Sequence, residues 1–245
     1  MILIYDDTIE GLMTALYWSY HYKTHEICSM SSYEPKLLDV PEYMVTDTHL
    51  ASKMMGRIRN RFGERTAEKI LYAFLSDQGD VGKIIRVFLD YAVTVTGAIE
   101  DYSHDCVYPL LALSRAVERE SHLVVGLLRF EHLKSDVYYA AFEPTYDILS
   151  VLTPHFEKRL SDQVWVIHDV KRGKAVFYDT HESWTAPLDK QMALALHENE
   201  EAFQNLWKKY YEHIGIKERR NPKLRMNFMP KKYWKHLTEL KNTKS

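Results

Sequence analysis

Paired strand-like runs in the second half of the sequence constrain the fold more than any other feature. QVWVIHD (163–169) and KAVFYD (174–179) flank a short polar turn at 171–173, a spacing typical of a β-hairpin. VVGLLRFEHL (124–133) and DVYYAAFE (136–143) predict a second hairpin, since only a few polar residues separate them. Hairpins build antiparallel sheets, so we predict such a sheet in this half of the chain.

Helical periodicity dominates the first half. A short strand, Ile2–Tyr5, precedes the first helix, and 27–43 is expected to be a loop with an extended piece near 27–30. Helices are predicted from the N-cap Thr8 to about Tyr22, from Asp47 to Gly63, over 66–75, over 80–96, and from Ser103 or Asp105 to about Ser121. Helices followed by hairpins predict an α+β fold. It would comprise a mainly helical region (1–100) and an α+β region (101–245), or one compact domain.

Two more helices and a strand complete the second half. One helix is predicted from Asp147 through Phe156, a strand over 183–188, and a long amphipathic helix over 189–214 that ends at Gly215. The long helix carries a row of apolar residues that we expect to face the core: Leu194, Leu196, Phe203, Leu206, Trp207 and Tyr210.

Composition excludes several classes of protein. The 245 residues suffice for a large buried core, and two cysteines, Cys28 and Cys106, are too few for a disulfide framework. No apolar run approaches the length of a membrane span, and the first residues are too short and acidic for a signal peptide. We therefore expect a cytoplasmic protein with reduced thiols and no membrane partner.

The carboxyl-terminal segment is strongly basic. From Lys217 to the end there are ten basic residues and two acidic ones, whereas the whole chain carries a net charge of −2. Such a concentration attracts polyanions, and rings among the cations suit unstacked bases. The predicted nucleic-acid-binding residues are Arg219, Arg220, Lys223, Arg225, Phe228, Lys231, Lys232, Tyr233, Trp234 and Lys235, with Arg57 and Arg61 as a second basic cluster. The alternative is that the rings dock onto the core, and we expect an extended lead and then a short helix from Pro230.

Catalytic signatures are largely missing. The sequence has no phosphate-binding GxxxxGK[ST] loop, no GxGxxG, no HExxH and no CxxxCxxC, so it indicates no cofactor and no metal site. The polar residues that remain as catalytic candidates are His168, Asp169, Arg129, Glu118, Arg115 and His122. Together they would form a pocket suited to acid-base chemistry. The alternative is a structural polar network between helix and sheet.

Four stretches carry a resemblance to a known family. They are YDDTIEGLMTALYWSY, RAVERESHLVVGLLRFEHL, the run from YYAAFEPTYDIL to KAVFYD, and RNPKLRMNFMPKKYW. They resemble a bacterial family whose members are described as DNA-metabolism or DNA-repair proteins and carry a domain of unknown function (DUF4130). The resemblance implies association with a radical SAM protein of DNA repair or with a uracil-DNA-glycosylase-like protein. It implies no catalytic residues.

Three functions follow as hypotheses. The first is an accessory protein that binds single-stranded or damaged DNA through its basic aromatic segment and hands it to a partner repair enzyme. The second is an enzyme that acts on DNA or a nucleotide through the polar pocket. The third is an assembly module whose basic segment binds an acidic protein surface.

Overall fold

The computed structural model describes residues 1–189, 195–214 and 222–240. The chain divides into two compact units, Met1–Glu118 and Arg119–Ser245. This division falls within a helix, beyond the boundary near residue 100 that the sequence suggests.

Helices and strands occupy most of both units. The helices are α1 (Ile9–Tyr22), α2 (Thr48–Phe62), α3 (Glu64–Phe74), α4 (Val81–Thr94), α5 (Val107–Leu127), α6 (Leu149–Arg159), α7 (Glu200–Ile214) and α8 (Pro222–Phe228). The strands are β1 (Ile2–Tyr5), β2 (Ile27–Ser29), β3 (Pro41–Tyr43), β4 (Glu131–His132), β5 (Tyr138–Phe142), β6 (Trp165–Asp169), β7 (Lys174–Tyr178) and β8 (Ser183–Pro187). None of the helices in this part of the chain has the length and hydrophobicity that a membrane crossing requires.

The first unit contains a three-stranded parallel sheet with β1 in the middle. Leu3 pairs with Ile27 of β2, and Ile4 pairs with Tyr43 of β3. The prediction of a loop over 27–43 is therefore wrong at β3, because a three-residue strand is too short to show a period. Parallel pairing needs a crossover, which α1 supplies between β1 and β2.

The predicted start of α1 is confirmed. The Thr8 side chain accepts a hydrogen bond of 2.9 Å from the Gly11 amide, which satisfies one of the free donors at the helix start. Asp6 accepts from the Thr8 hydroxyl at 2.6 Å, so this carboxylate supports the cap. The apolar faces of α1 to α4 then bury one core against the sheet, with Leu12, Leu16, Ile58, Ile70, Ile85 and Phe88 at its centre.

The second unit is built on a five-stranded sheet in the order β4-β5-β6-β7-β8. The hairpin β6–β7 is confirmed, with Ile167 opposite Val176 and Gly173 in the left-handed conformation of its turn. The strand β8 extends it antiparallel, and β5 pairs with β6 in parallel through the crossover helix α6. The predicted α+β fold with a mostly antiparallel sheet is confirmed.

Two local predictions in the second unit are wrong. Residues 124–127 continue α5 and do not begin a strand, because a short apolar run fits a buried helix as well as a strand. The predicted extended lead before Pro230 is instead the helix α8. The short helix after Pro230 is confirmed as a 3-10 turn over Lys231–His236.

Leu12 tests the core of the first unit. Leu12→Ala removes a fully buried side chain and should lower the free energy of unfolding by about 2–5 kcal/mol. Leu37→Ala makes the same chemical change at a fully exposed position and should alter it by less than about 0.5 kcal/mol. Urea unfolding measures both variants, and equal losses of stability would contradict this assignment of the core.

Candidate functional site

The apolar face of α7 is open to solvent. Phe203 and Leu206 are each 64% exposed and Tyr210 is 54% exposed. The prediction that this row faces the core is wrong, and Leu196 and Trp207 are exposed as well. Leu194 lies outside the described residues. Helical periodicity identifies an apolar face but does not show what covers it. The sequence alone therefore could not show that this apolar row faces solvent.

This face forms one wall of a cleft in the second unit. The cleft encloses about 820 Å³. Its lining is mainly aromatic and apolar, with a few polar groups: Leu128, Arg129, Phe130, His132, Tyr138, Glu200, Phe203, Gln204, Leu206, Trp207, Tyr210 and Thr238. Clefts of this size and composition are typical of ligand sites.

Arg129 and Glu239 fix one wall of the cleft. The guanidinium donates to both carboxylate oxygens of Glu239, at 3.2 and 2.8 Å, and lies 5.2 Å from the centre of the Trp207 ring. The Trp207 indole nitrogen donates to the same carboxylate at 2.9 Å. Burial alone would raise the pKa of Glu239, but the hydrogen bonds from Arg129 and Trp207 lower it. Arg129, a catalytic candidate in the sequence, therefore positions an aromatic ring.

Glu120 anchors part of the basic carboxyl-terminal segment. Its buried carboxylate accepts from the Tyr233 hydroxyl at 2.6 Å, from the backbone amides of Thr145 and Tyr146 at 2.9 and 2.8 Å, and from the Lys232 ammonium. Burial alone would raise the pKa of Glu120, but these hydrogen bonds lower it below its ordinary value of 4.5. The carboxylate is therefore charged at neutral pH and neutralises one of the predicted phosphate contacts.

Three of the predicted nucleic-acid contacts are engaged within the protein. Tyr233 is buried, so its ring cannot stack on a base. Lys232 pairs with Glu120 and Lys235 pairs with Glu143. Arg219 and Arg220 lie outside the described residues.

The other members of the segment remain accessible. The Arg225 guanidinium lies 4.9 Å and the Lys231 ammonium 5.9 Å from the Trp234 ring centre. Lys223 and Phe228 are exposed. Among the described residues, neither Lys223 nor Lys231 forms an ion pair with a carboxylate. Lys223, Lys231 and Phe228 are therefore the members of this set whose side chains are exposed, whereas Arg225 and Trp234 are half-buried.

The segment packs beside the helix that lines the cleft. The Tyr211 hydroxyl of α7 contacts the Met229 sulfur at 3.8 Å, and the Trp234 indole donates to the Met229 carbonyl at 2.7 Å. The carboxyl-terminal segment therefore contacts α7 through Met229.

The first unit has a smaller cleft of similar chemistry. It encloses about 610 Å³ and includes Arg57 and Arg61 among rings that include Tyr17, Trp18 and Tyr20. The Arg57 guanidinium lies 6.0 Å from the Tyr17 ring centre, and Arg61 donates to the Val93 carbonyl at 3.2 Å. The two arginines predicted as a second basic cluster thus line an aromatic cleft.

The predicted acid-base residues are used in local contacts. His168 is 1% exposed and its Nδ1 lies 2.6 Å from the Tyr139 hydroxyl, whose pKa burial raises to about 12. Asp169 is fully buried and pairs with Arg172 at 3.0 Å. Neither side chain reaches solvent in this structure.

The remaining catalytic candidates lie on α5. Two of them contact residues of the first unit, and the third is exposed. Glu118 pairs with Lys69, and the Arg115 guanidinium lies 5.3 Å from the Tyr102 ring centre, both within the first unit. His122 is exposed in the second unit. The catalytic candidates therefore lie in separate local contacts in this structure.

The fold also brings together a polar cluster that was not predicted from the sequence. His132, Asp136 and His197 bring one ligand atom each to within 4.8 Å of one another. The four-residue spacing of His132 and Asp136 is visible in the sequence, but His197 is far along the chain and is paired with them only by the fold. His132 also lines the large cleft.

One family match covers most of the chain. The family described as "Domain of unknown function (DUF4130)" matches residues 61–239. No curated protein and no solved structure matches the chain. The matched range contains the large cleft and the described basic segment up to Glu239, whereas β1 to β3 lie before it.

Glu120 gives a pH-dependent prediction. Glu120→Gln removes the charge that four donors stabilise and should lower the free energy of unfolding by about 1–3 kcal/mol at neutral pH. Because the folded-state pKa is lowered, this contribution is complete above 4.5 and is lost as the pH falls through the folded-state value. The difference between the wild type and the variant should therefore shrink in acid.

Urea unfolding across this pH range makes the measurement. Glu198→Gln, at an exposed carboxylate, is the matched control and should change stability by less than about 0.5 kcal/mol. A Glu120→Gln difference that stays constant down to acid pH would contradict the ionised carboxylate.

Proposed function

The chain belongs to the DUF4130 family of unknown function, and we propose that it binds single-stranded or damaged DNA and serves as an accessory to a repair enzyme. The binding surface is the aromatic cleft of the second unit together with the free cations of the neighbouring carboxyl-terminal segment. In this proposal the main contact surface for DNA is α7, and the basic segment contributes additional contacts.

The exposed aromatic face of α7 is the observation that carries the proposal. Large rings are rarely left open in a row unless they bind something. Phe203, Trp207 and Tyr210 offer flat surfaces on which unpaired bases stack, at about 1–3 kcal/mol per base. The Gln204 amide nitrogen donates to Glu200 at 2.9 Å, which leaves the amide oxygen in the lining to accept from a base edge.

The cations supply the second element of the proposal. Lys223 and Lys231 are exposed without a carboxylate partner among the described residues, and Arg225 lies against Trp234. Phosphate groups would take the place of such a partner. Because Lys232 and Lys235 are paired with carboxylates, the electrostatic contribution is smaller than the charge of the whole segment suggests.

An accessory role fits the chemistry of the surface. The cleft offers stacking and hydrogen bonding, while the buried His168 and Asp169 offer no accessible acid-base pair. We therefore propose that the chemistry belongs to a partner, for which the family resemblance suggests a radical SAM protein or a uracil-DNA-glycosylase-like protein.

Phe203 and Tyr210 test the stacking. Phe203→Ala and Tyr210→Ala should each weaken binding of a fluorescent single-stranded oligonucleotide by about 5- to 150-fold, because each removes one stacking platform. Trp184→Ala is the matched control, since Trp184 is an exposed ring of the same unit that does not line the cleft. Fluorescence anisotropy measures the dissociation constants.

Three results would overturn the stacking proposal. They are an absence of binding to single-stranded DNA, an equal weakening of binding in the control and the cleft variants, and tighter binding to duplex than to single strands.

Lys223 and Lys231 test the phosphate contacts. The double variant Lys223→Gln, Lys231→Gln should reduce the slope of log affinity against log salt by about 0.7 for each phosphate group that the protein no longer neutralises. Lys158→Gln, at an exposed lysine of α6, should leave the slope unchanged. A slope unaffected by the double variant would remove these cations from the interface.

A further inference from the structure

We propose that His132, Asp136 and His197 bind a divalent first-row transition metal ion at the edge of the large cleft. The three side chains bring two nitrogen donors and one oxygen donor to within 4.8 Å of one another. Metal binding at this site does not depend on base stacking, so it can be tested without nucleic acid.

The spacing of the donor atoms suits one ion. Two ligand atoms bound to Zn²⁺ at about 2.1 Å, with angles between 90° and 109°, lie about 3.0–3.4 Å apart. The His132 Nε2 and Asp136 Oδ1 atoms are already 3.1 Å apart. All three ligand atoms lie within 4.8 Å of one another, so His197 needs to approach by no more than about 1.8 Å. Because its ring is stacked on that of His132, it must also turn before both nitrogen lone pairs point at one ion.

Backbone pairing holds the two histidines together. The His197 amide donates to the His132 carbonyl at 2.9 Å, and the Lys134 amide donates to the Ala195 carbonyl at 2.9 Å. The His132 ring stacks between neighbours, 4.5 Å from the His197 ring centre and 4.8 Å from the Tyr138 ring centre. The donors are therefore brought together by the fold, which reduces the entropy cost of closing around an ion.

A tight turn brings the carboxylate to the histidines. Asp136 lies in the turn between β4 and β5 with φ of 56°, and its amide donates to the Leu133 carbonyl at 3.1 Å. This turn folds residue 136 back toward residue 132. The Asp136 side chain is 86% exposed, so an ion can enter from solvent.

The donor set indicates the class of metal. Two imidazoles and one carboxylate suit Zn²⁺, Fe²⁺ or Co²⁺ better than Ca²⁺ or Mg²⁺, which prefer oxygen ligands. Three protein ligands leave at least one coordination position for water or for a ligand in the cleft. Since His132 belongs both to the cluster and to the cleft lining, that position would lie at the edge of the cleft.

Metal titration of the tag-free full chain tests the proposal. We expect Zn²⁺ to bind with a stoichiometry of one in calorimetry, and Co²⁺ to give a visible absorption band that Zn²⁺ abolishes. Asp136→Asn and His197→Ala should each weaken binding by more than about tenfold, since loss of even an outer-shell partner typically costs 10- to 100-fold.

Matched variants make the test decisive. His155→Ala removes an exposed histidine outside the cluster, and Asp162→Asn removes an exposed aspartate, so both should keep full affinity. Asp136→Asn changes an exposed side chain and so reports on the metal even if His197→Ala fails to fold. An absence of stoichiometric binding, or equal affinity in Asp136→Asn and the wild type, would overturn the site.

Discussion

The surface of the second unit depends on the buried carboxylate of Glu120. A buried charge is costly unless hydrogen bonds and an opposite charge compensate it. Here the compensation comes from two stretches far apart in the chain, the backbone at 145–146 and the carboxyl-terminal pair of Lys232 and Tyr233. One carboxylate therefore fixes the basic segment in place. By doing so it decides which of that segment's cations and rings remain available to a ligand.

The aromatic cleft follows from a similar arrangement around Glu239. Its carboxylate accepts hydrogen bonds from both Arg129 and the Trp207 indole, so the exposed helix presents the Trp207 ring in a fixed geometry. Fixed rings lose little conformational entropy when a ligand stacks on them. The first unit also combines rings with the guanidinium groups of Arg57 and Arg61. This combination suits a ligand that has both flat faces and negative charge.

Local patterns predicted those elements whose geometry is set by neighbours in the chain. The β6–β7 hairpin was predictable because alternation and a turn both lie within 163–179, and α1 because Thr8 caps its own helix. The parallel strand β3 and the end of α5 were not predictable in this way. A three-residue strand carries no period, and an apolar run such as 124–127 is compatible with helix and strand alike.

The sequence by itself determined the α+β class, most helix positions, the basic character of the carboxyl-terminal segment and the apolar row on α7. These are properties of composition and local spacing. Only the tertiary structure decided that this row faces solvent, that Tyr233 is buried on Glu120, and that His197 joins His132 and Asp136. Each of these depends on which distant segment packs opposite, and the free energy of that choice comes from burial and pairing between residues that no local pattern connects.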